Sequence, residues 1–230
     1  MAISPGRAPS SASGFSIANN GFIQNVPTSV TSAALSAFSN PLTPGSLIVV
    51  HQYSATGTYS VPTDTAGNTY VDCGPGRLAY SASANSMQCF YALNTHSTAS
   101  NVVTIHSSSV VFLTGLAFEV LGAASSSPID GGSGVGYSSK AAATSGAAGS
   151  DNLTATSLTP AGNGDLIIEF IPSLSGSTVG TSPNAFTAVN GTWTMASGYF
   201  LQATSAAIIA TASDSTGSNP YAAVVIAIKP

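Results

Sequence analysis

The sequence predicts an all-β fold, an antiparallel β-sandwich, and three observations support this prediction. Short apolar runs recur along the 230-residue chain, are separated by turn residues and never keep helical spacing. Many of these runs are rich in β-branched residues, which fit a pleated sheet. Mean hydropathy is +0.31 although no apolar stretch is long, so the apolar residues are spread over many short segments.

The predicted strands occupy both halves of the chain. They lie near 15–17, 22–26, 47–53, 59–61, 69–72, 87–93, 102–106, 110–121, 153–157, 166–171, 186–189, 192–195, 199–203, 206–211 and 221–228. Asn20-Gly21 and Asn190-Gly191 each stand between two such runs, and Asn-Gly favours type I′ hairpin turns because both central residues need positive φ. Residues 29–38 are the one helix candidate.

Two of the strands predict how the sheets are buried. The run 47–50 is apolar at every position, so it should be covered on both faces. The run 102–106 alternates, which places Val103 and Ile105 inward and Thr104 and His106 outward.

A weak internal sequence repeat predicts two similar halves. Leu42-Thr43-Pro44 precedes the apolar run 47–50, Leu158-Thr159-Pro160 precedes the run 166–168, and each half ends on a long apolar strand. We therefore expect residues 41–230 to form one sandwich domain, with a long loop rich in Gly, Ala and Ser over 122–152. Residues 1–40 are predicted to be an N-terminal arm with a first hairpin.

Composition excludes two classes of partner. Only 5% of residues are charged, against about 25% in an ordinary domain. The four basic residues are scattered and the net charge is −4, so a nucleic-acid binder is excluded. No apolar stretch reaches the ~20 residues of a membrane span. Low net charge favours association between copies of the chain.

Few residues of the sequence stand in a recognisable catalytic arrangement, and we expect neither an enzyme nor a cofactor. His51, His96 and His106 lack the spacing of a metal or catalytic set. Glu119 and Glu169 lie in predicted strands, and a glycosidase would need their carboxylates about 5–10 Å apart. The alternative is that each faces solvent or accepts hydrogen bonds from a loop.

Two local pairs leave alternatives open. Asp64 and Asn68 supply oxygens that suit Ca²⁺, but such residues more often cap turns through their own backbone. Cys73 and Cys89 lie on neighbouring predicted strands, where they are either a disulfide or two buried thiols. No metal site is predicted.

The aromatic residues near the Asn190-Gly191 turn are candidates for stacking on a sugar. Trp193, Tyr199 and Asn190 form this glycan-binding hypothesis, while the alternative is that the aromatics pack in the core or across strands.

The chain resembles a group of jelly-roll domains in phage minor tail proteins and in Ser/Thr-rich exported bacterial surface proteins. The resemblance covers about half the chain and rests on strand-and-turn segments. These are Gly-Ser-Leu-Ile-Val-Val (45–50), Val-Pro-Thr-Asp-Thr-Ala-Gly-Asn-Thr-Tyr (61–70), Phe-Tyr-Ala-Leu-Asn (90–94), Val-Val-Thr-Ile (102–105) and Phe-Glu-Val-Leu-Gly (118–122). It implies a jelly-roll sandwich used in virion or surface structure, sometimes with glycan binding.

The sequence therefore predicts a non-enzymatic structural subunit that assembles with copies of itself. The particle would be a virion, as a capsid decoration or tail component, or an extracellular filament on the cell surface. An edge strand can complete a neighbour's sheet, and the arm candidates for this are Phe15, Ile17, Phe22, Ile23 and Val26. The alternative is a carbohydrate-binding or adhesin module of an exported bacterial protein.

Overall fold

The structure is a computed structural model that describes residues 14–23, 30–54, 58–80, 85–130, 137–142, 149–173, 177–179, 186–192, 195–214 and 216–230. Across these ranges the chain forms strands and no helix, which confirms the all-β prediction. The strands up to residue 121 are β1 (Ser16–Ile23), β2 (Val30–Ala34), β3 (Leu47–Ser54), β4 (Tyr59–Asp64), β5 (Tyr70–Asp72), β6 (Leu78–Ala79), β7 (Ser86–Ala92), β8 (Val103–Val111) and β9 (Leu113–Leu121). The later strands are β10 (Tyr137–Ala142), β11 (Gly149–Thr154), β12 (Leu166–Pro172), β13 (Ser177–Val179), β14 (Thr187–Thr192), β15 (Met195–Leu201), β16 (Thr211–Asp214) and β17 (Tyr221–Ile228).

The strands form four antiparallel sheets. The first inner sheet has the order β1-β9-β3-β7-β5, with β6 also paired to β7, and the second inner sheet has the order β10-β17-β12-β15-β14. The first outer sheet is β2-β8-β4 and the second outer sheet is β11-β16-β13. Strands up to residue 121 supply the first pair of sheets, and the later strands supply the second pair.

Three apolar clusters show how the sheets stack. The central cluster joins the two inner sheets, with Phe118 on one side and Phe170 on the other, 6.1 Å apart between ring centroids. A second cluster lies between the first inner and first outer sheets, and a third lies between the second inner and second outer sheets. There are three clusters because each inner sheet is apolar on both faces and must be covered twice.

The predicted burial of the strands is confirmed. Leu47 and Val49 point into the central cluster, while Ile48 and Val50 point into the second cluster, and all four side chains are fully buried. On β8, Val103 and Ile105 are buried and the residues between and after them are half-buried.

Both predicted Asn-Gly hairpins are wrong in position. Asn20 and Gly21 lie inside β1 and pair with Phe118 and Ala117, because continuous pairing to β9 outweighs the local turn preference. Asn190-Gly191 lies inside β14, where Asn190 pairs with Ser197 and Gly191 pairs with Ala196, so the dipeptide is not the turn. Each dipeptide follows a register shift, a bulge that accommodates an irregular backbone.

Three segments differ from the sequence prediction. Residues 30–34 of the helix candidate form β2, which pairs with β8. The predicted loop 122–152 carries β10 and the start of β11. Its Ala, Ser and Gly residues have little intrinsic strand preference, and pairing with β17 and β16 stabilises the extended backbone. Much of the strand predicted over 206–211 is a loop with an Ile208–Leu158 bridge.

Within the described ranges, no helix has the length and apolar character that crossing a bilayer requires.

Candidate functional site

The N-terminal segment predicted as an assembly arm forms an edge strand of the chain's own first inner sheet. β1 pairs with β9 from Ser16 opposite Leu121 to Ile23 opposite Gly115. The candidate side chains Phe15 and Ile17 are half-buried and pack against the central cluster. The side chains of Phe22 and Ile23, and the whole of Val26, lie outside the described residues.

A buried carboxylate fastens this edge strand. Asn19 Nδ2 donates to Glu119 Oε2 at 2.6 Å, and Asn19 Oδ1 accepts from the backbone N of Asn40 at 3.0 Å. The other oxygen of Glu119, Oε1, accepts from the backbone N of Thr43 at 2.7 Å. Glu119 is fully buried, so it joins β1, β9 and the 40–43 loop, as the loop-acceptor alternative predicted.

Glu119 and Glu169 do not form a glycosidase pair. Glu119 alternates with Phe118 and Val120 of the central cluster, so it faces the first outer sheet. Glu169 alternates with Ile168 and Phe170 of that cluster and faces the second outer sheet. Two sheets and the central cluster separate the carboxylates, which point away from each other.

Of the three glycan-binding candidates, the structure describes the side chain of Tyr199 alone. Trp193 and the side chain of Asn190 lie outside the described residues. Tyr199 on β15 is half-buried and packs against the central cluster. The described part of this trio is therefore a core-flanking tyrosine, as the packing alternative expects.

The two cysteines lie side by side in the central cluster. Cys73 follows β5 directly, and its backbone N donates to the carbonyl of Cys89 on β7 at 3.0 Å. The two Sγ atoms are 2.6 Å apart, and both residues are buried as free thiols. Burial, together with the neighbouring Cys89 sulfur, raises the pKa of the Cys73 thiol well above its usual value. A buried thiol of this kind is a poor nucleophile.

The histidines lie in different places. His51 on β3 is fully buried and stacks on Phe170, with ring centroids 4.5 Å apart and planes 5° apart. Neither ring nitrogen has a hydrogen-bond partner in the described structure, and burial lowers the pKa of His51 to about 3. His106 Nε2 lies 2.9 Å from Thr63 Oγ1 on the first outer sheet, and His96 is exposed.

The Asp64 segment is a capped turn. Asp64 Oδ1 accepts from the backbone N of Asn68 at 2.9 Å, and Oδ2 accepts from the Asn68 side chain at 2.7 Å and from Tyr70 Oη at 2.8 Å. Gly67 has φ +73° and its N donates to the Asp64 carbonyl at 3.2 Å. Both carboxylate oxygens thus serve the turn, which is the capping alternative.

Sequence reasoning missed a pair of aspartates at one end of the second inner sheet. Asp130 is buried and follows a bridge between Ile129 and Ile228, and Asp165 is fully buried immediately before β12. The two residues are 35 positions apart, so no local motif joins them. The one available signal was an aspartate directly before the apolar run 166–168.

Within the described ranges no three His, Cys, Asp or Glu residues form a group that could hold a metal ion.

Comparisons with protein-family models, curated protein sequences and solved structures found no match to this chain.

Proposed function

We propose that the chain is a non-enzymatic structural subunit, built as two similar jelly-roll halves, that assembles with copies of itself into a virion or an extracellular filament. The observation that carries this proposal is the correspondence between the strand orders of the two pairs of sheets. The low charge of the sequence and the β5 edge of the first inner sheet, which pairs on one side only among the described residues, support the assembly role.

The strand orders correspond one to one when β6 is set aside. Replacing β1, β2, β3, β4, β5, β7, β8 and β9 by β10 to β17 in turn converts the order β1-β9-β3-β7-β5 into β10-β17-β12-β15-β14. The same replacement converts β2-β8-β4 into β11-β16-β13. In a jelly roll the first, eighth, third and sixth strands form one sheet, and each inner sheet has this order with the fifth strand added.

The repeated sequence segments lie on corresponding strands of the two halves. The run 47–50 begins β3 and the run 166–168 begins β12, which are the third strands of the two halves. The long apolar strands that end each half are β9 and β17, which also correspond. Each of these four strands is buried on both faces, so the same packing role accounts for the shared apolar pattern.

The edges of the inner sheets are the surfaces most suited to assembly. Among the described residues β5 pairs only with β7, and Val71 on β5 is 44% exposed. An edge strand presents backbone donors and acceptors that a second copy can pair with. With a formal charge of −4, little repulsion opposes such contacts.

The proposal is tested by placing a charge on this edge. We expect Val71→Lys to weaken assembly, measured by light scattering and negative-stain microscopy, because an edge lysine opposes pairing between sheets. Ile209→Lys is the matched control: Ile209 is 38% exposed and lies outside the strands. Equal assembly of both variants and the unmodified chain would argue against the β5 edge as the contact.

A further inference from the structure

Asp130 and Asp165 meet where four segments of the chain converge. Asp130 N donates to the carbonyl of Ala227 on β17 at 2.9 Å, which holds segment 128–130 beside the end of that strand. Asp165 lies in the loop 160–165, and its carbonyl accepts from the backbone N of Gln202, just after β15, at 2.9 Å. A Cβ built on Gly162 would lie 3.7 Å from Asp165 Oδ1 and 3.9 Å from Asp130 Oδ2, so both carboxyl groups flank the same glycine.

The surroundings of Asp130 favour its ionised form. Its Oδ2 accepts from the backbone N of Ala161 at 2.7 Å and from that of Gly162 at 3.0 Å. Hydrogen bonds from backbone N–H groups stabilise a carboxylate relative to the protonated acid. Asp130 is therefore the acceptor side of the pair, already held in place by two backbone donors.

The surroundings of Asp165 favour its protonated form. The residue is fully buried, and neither carboxyl oxygen accepts a hydrogen bond from a described N–H or hydroxyl group. Its Oδ1 and the Oδ2 of Asp130 both flank Gly162, so the two carboxyl groups are neighbours. A second buried charge at this place would lie beside a like charge and away from water, whereas a protonated Asp165 has an acceptor in Asp130.

We propose that Asp165 carries a proton and donates it to Asp130, so that the two residues form one proton-binding carboxyl pair that fastens segment 128–130 to loop 160–165. Loss of this proton leaves two buried negative charges side by side. The fastening then loosens, because like charges in a buried site repel strongly. The pair is independent of the assembly role proposed above.

The electrostatic balance at the pair follows from the groups around it. Burial, followed by the hydrogen bond and the charge of Asp130, raises the pKa of Asp165 to about 7, and the positive charge of Lys229 at the end of β17 acts in the opposite direction. After β15, the side chains of Gln202 and Ser205 donate to the carbonyls of Ala206 and Pro160, and neither side chain titrates. The raised pKa means that the pair stabilises the fold fully at acidic pH, below the ordinary pKa of an aspartate. The contribution declines as the pH rises and is lost once the pH passes about 7.

Asp165→Asn tests the proposal on the full chain, because an amide can donate to Asp130 at every pH. We expect the Tm of the unmodified protein minus that of Asp165→Asn to fall between about pH 4 and pH 7 and then to level off. Asp72→Asn is the matched control, since Asp72 accepts from Gly74 N and Gly76 N at 2.6 and 3.1 Å in an exposed turn. Difference infrared spectra of the unmodified protein and Asp165→Asn would show directly whether a protonated carboxylic acid disappears near neutral pH.

Two results would overturn the proposal. The first is a Tm difference for Asp165→Asn that does not change with pH, together with no infrared signal of a protonated acid. The second is that Ca²⁺ at mildly alkaline pH restores the Tm of the unmodified protein but not that of Asp165→Asn, which would identify the pair as a cation site. If Asp165→Asn is poorly folded, an infrared titration of the unmodified protein alone shows whether a buried carboxylic acid is protonated below neutral pH.

Discussion

Asn19 determines how firmly the edge strand β1 is held, because its side chain donates to a fully buried carboxylate. We expect Asn19→Ala to lower the free energy of unfolding by about 1–3 kcal/mol, since it leaves Glu119 Oε2 buried without this donor. Chemical denaturation of the variant and the unmodified protein measures this difference.

Asn40→Ala is the control for this prediction. The exposed Asn40 contributes its backbone N, not its side chain, to the Asn19 contact, so its truncation should change stability very little. A loss for Asn40→Ala as large as that for Asn19→Ala would show that the Asn19–Glu119 contact is not the source of the effect.

His51 should make the fold sensitive to acid. Its pKa is about 3 in the folded chain against a usual value of 6.5, so the unfolded chain binds the proton more readily. The stability due to the neutral ring is complete above about pH 6.5 and is lost as the pH falls towards 3, by up to about 1.4 kcal/mol per pH unit. His51→Phe keeps an aromatic ring against Phe170 and removes the titration, so its unfolding free energy should lack this pH dependence.

Val49→Ala provides the comparison for His51→Phe. Val49 is fully buried on the same face of β3 and carries no titratable group, so its truncation should lower stability by an amount that does not change with pH. If the acid sensitivity survives in His51→Phe, the buried ring is not its cause.

At the scale of the strands, β5 and β7 are joined by backbone bonds and by the adjacent thiols of Cys73 and Cys89. We expect refolding of the denatured chain under mildly oxidising conditions, which exposes both thiols, to join them and raise the Tm, because closing a loop of this length stabilises by about 3 kcal/mol. Thiol titration before and after oxidation, with Cys89→Ala as the unreactive control, measures the bond. If two free thiols and an unchanged Tm are found after this oxidative refolding, the prediction is wrong.

Strands that are apolar throughout could be predicted from the sequence, and strands that depend on a partner could not. β3 and β17 were found because they contain the apolar runs 47–50 and 221–228, which are buried at every position and have no helical period. β10 was missed because its Ser and Ala residues have little intrinsic strand preference and become ordered through pairing with β17. The Asn20-Gly21 turn failed for the opposite reason, since pairing with β9 outweighed a strong local signal.

The candidate site was less predictable than the fold. Long-range contacts such as Asn19 with Glu119, or Asp130 with Asp165, join residues far apart in sequence, and composition does not reveal such pairs. The Asp64 turn was accessible because the two residues that close it, Asn68 and Tyr70, lie within six residues of Asp64.

At the scale of the whole molecule, the four stacked sheets explain why a chain with so few charges has so high an apolar content. Each inner sheet has two buried faces, and together the inner sheets supply most of the three clusters. The buried faces account for the mean hydropathy of +0.31, while Ser, Thr, Asn and Gly solvate the surface. Such a surface has little charge repulsion to keep copies apart, which is the physical basis of the proposed assembly.

The most direct test of the proposed function is sedimentation velocity on the purified, unmodified chain over a wide range of concentration. The proposal predicts a defined oligomer or a growing filament whose sedimentation coefficient is larger than that of a 22.7 kDa monomer. A single monomeric species at every concentration would contradict it, and would show that the exposed edges of the inner sheets do not pair between copies.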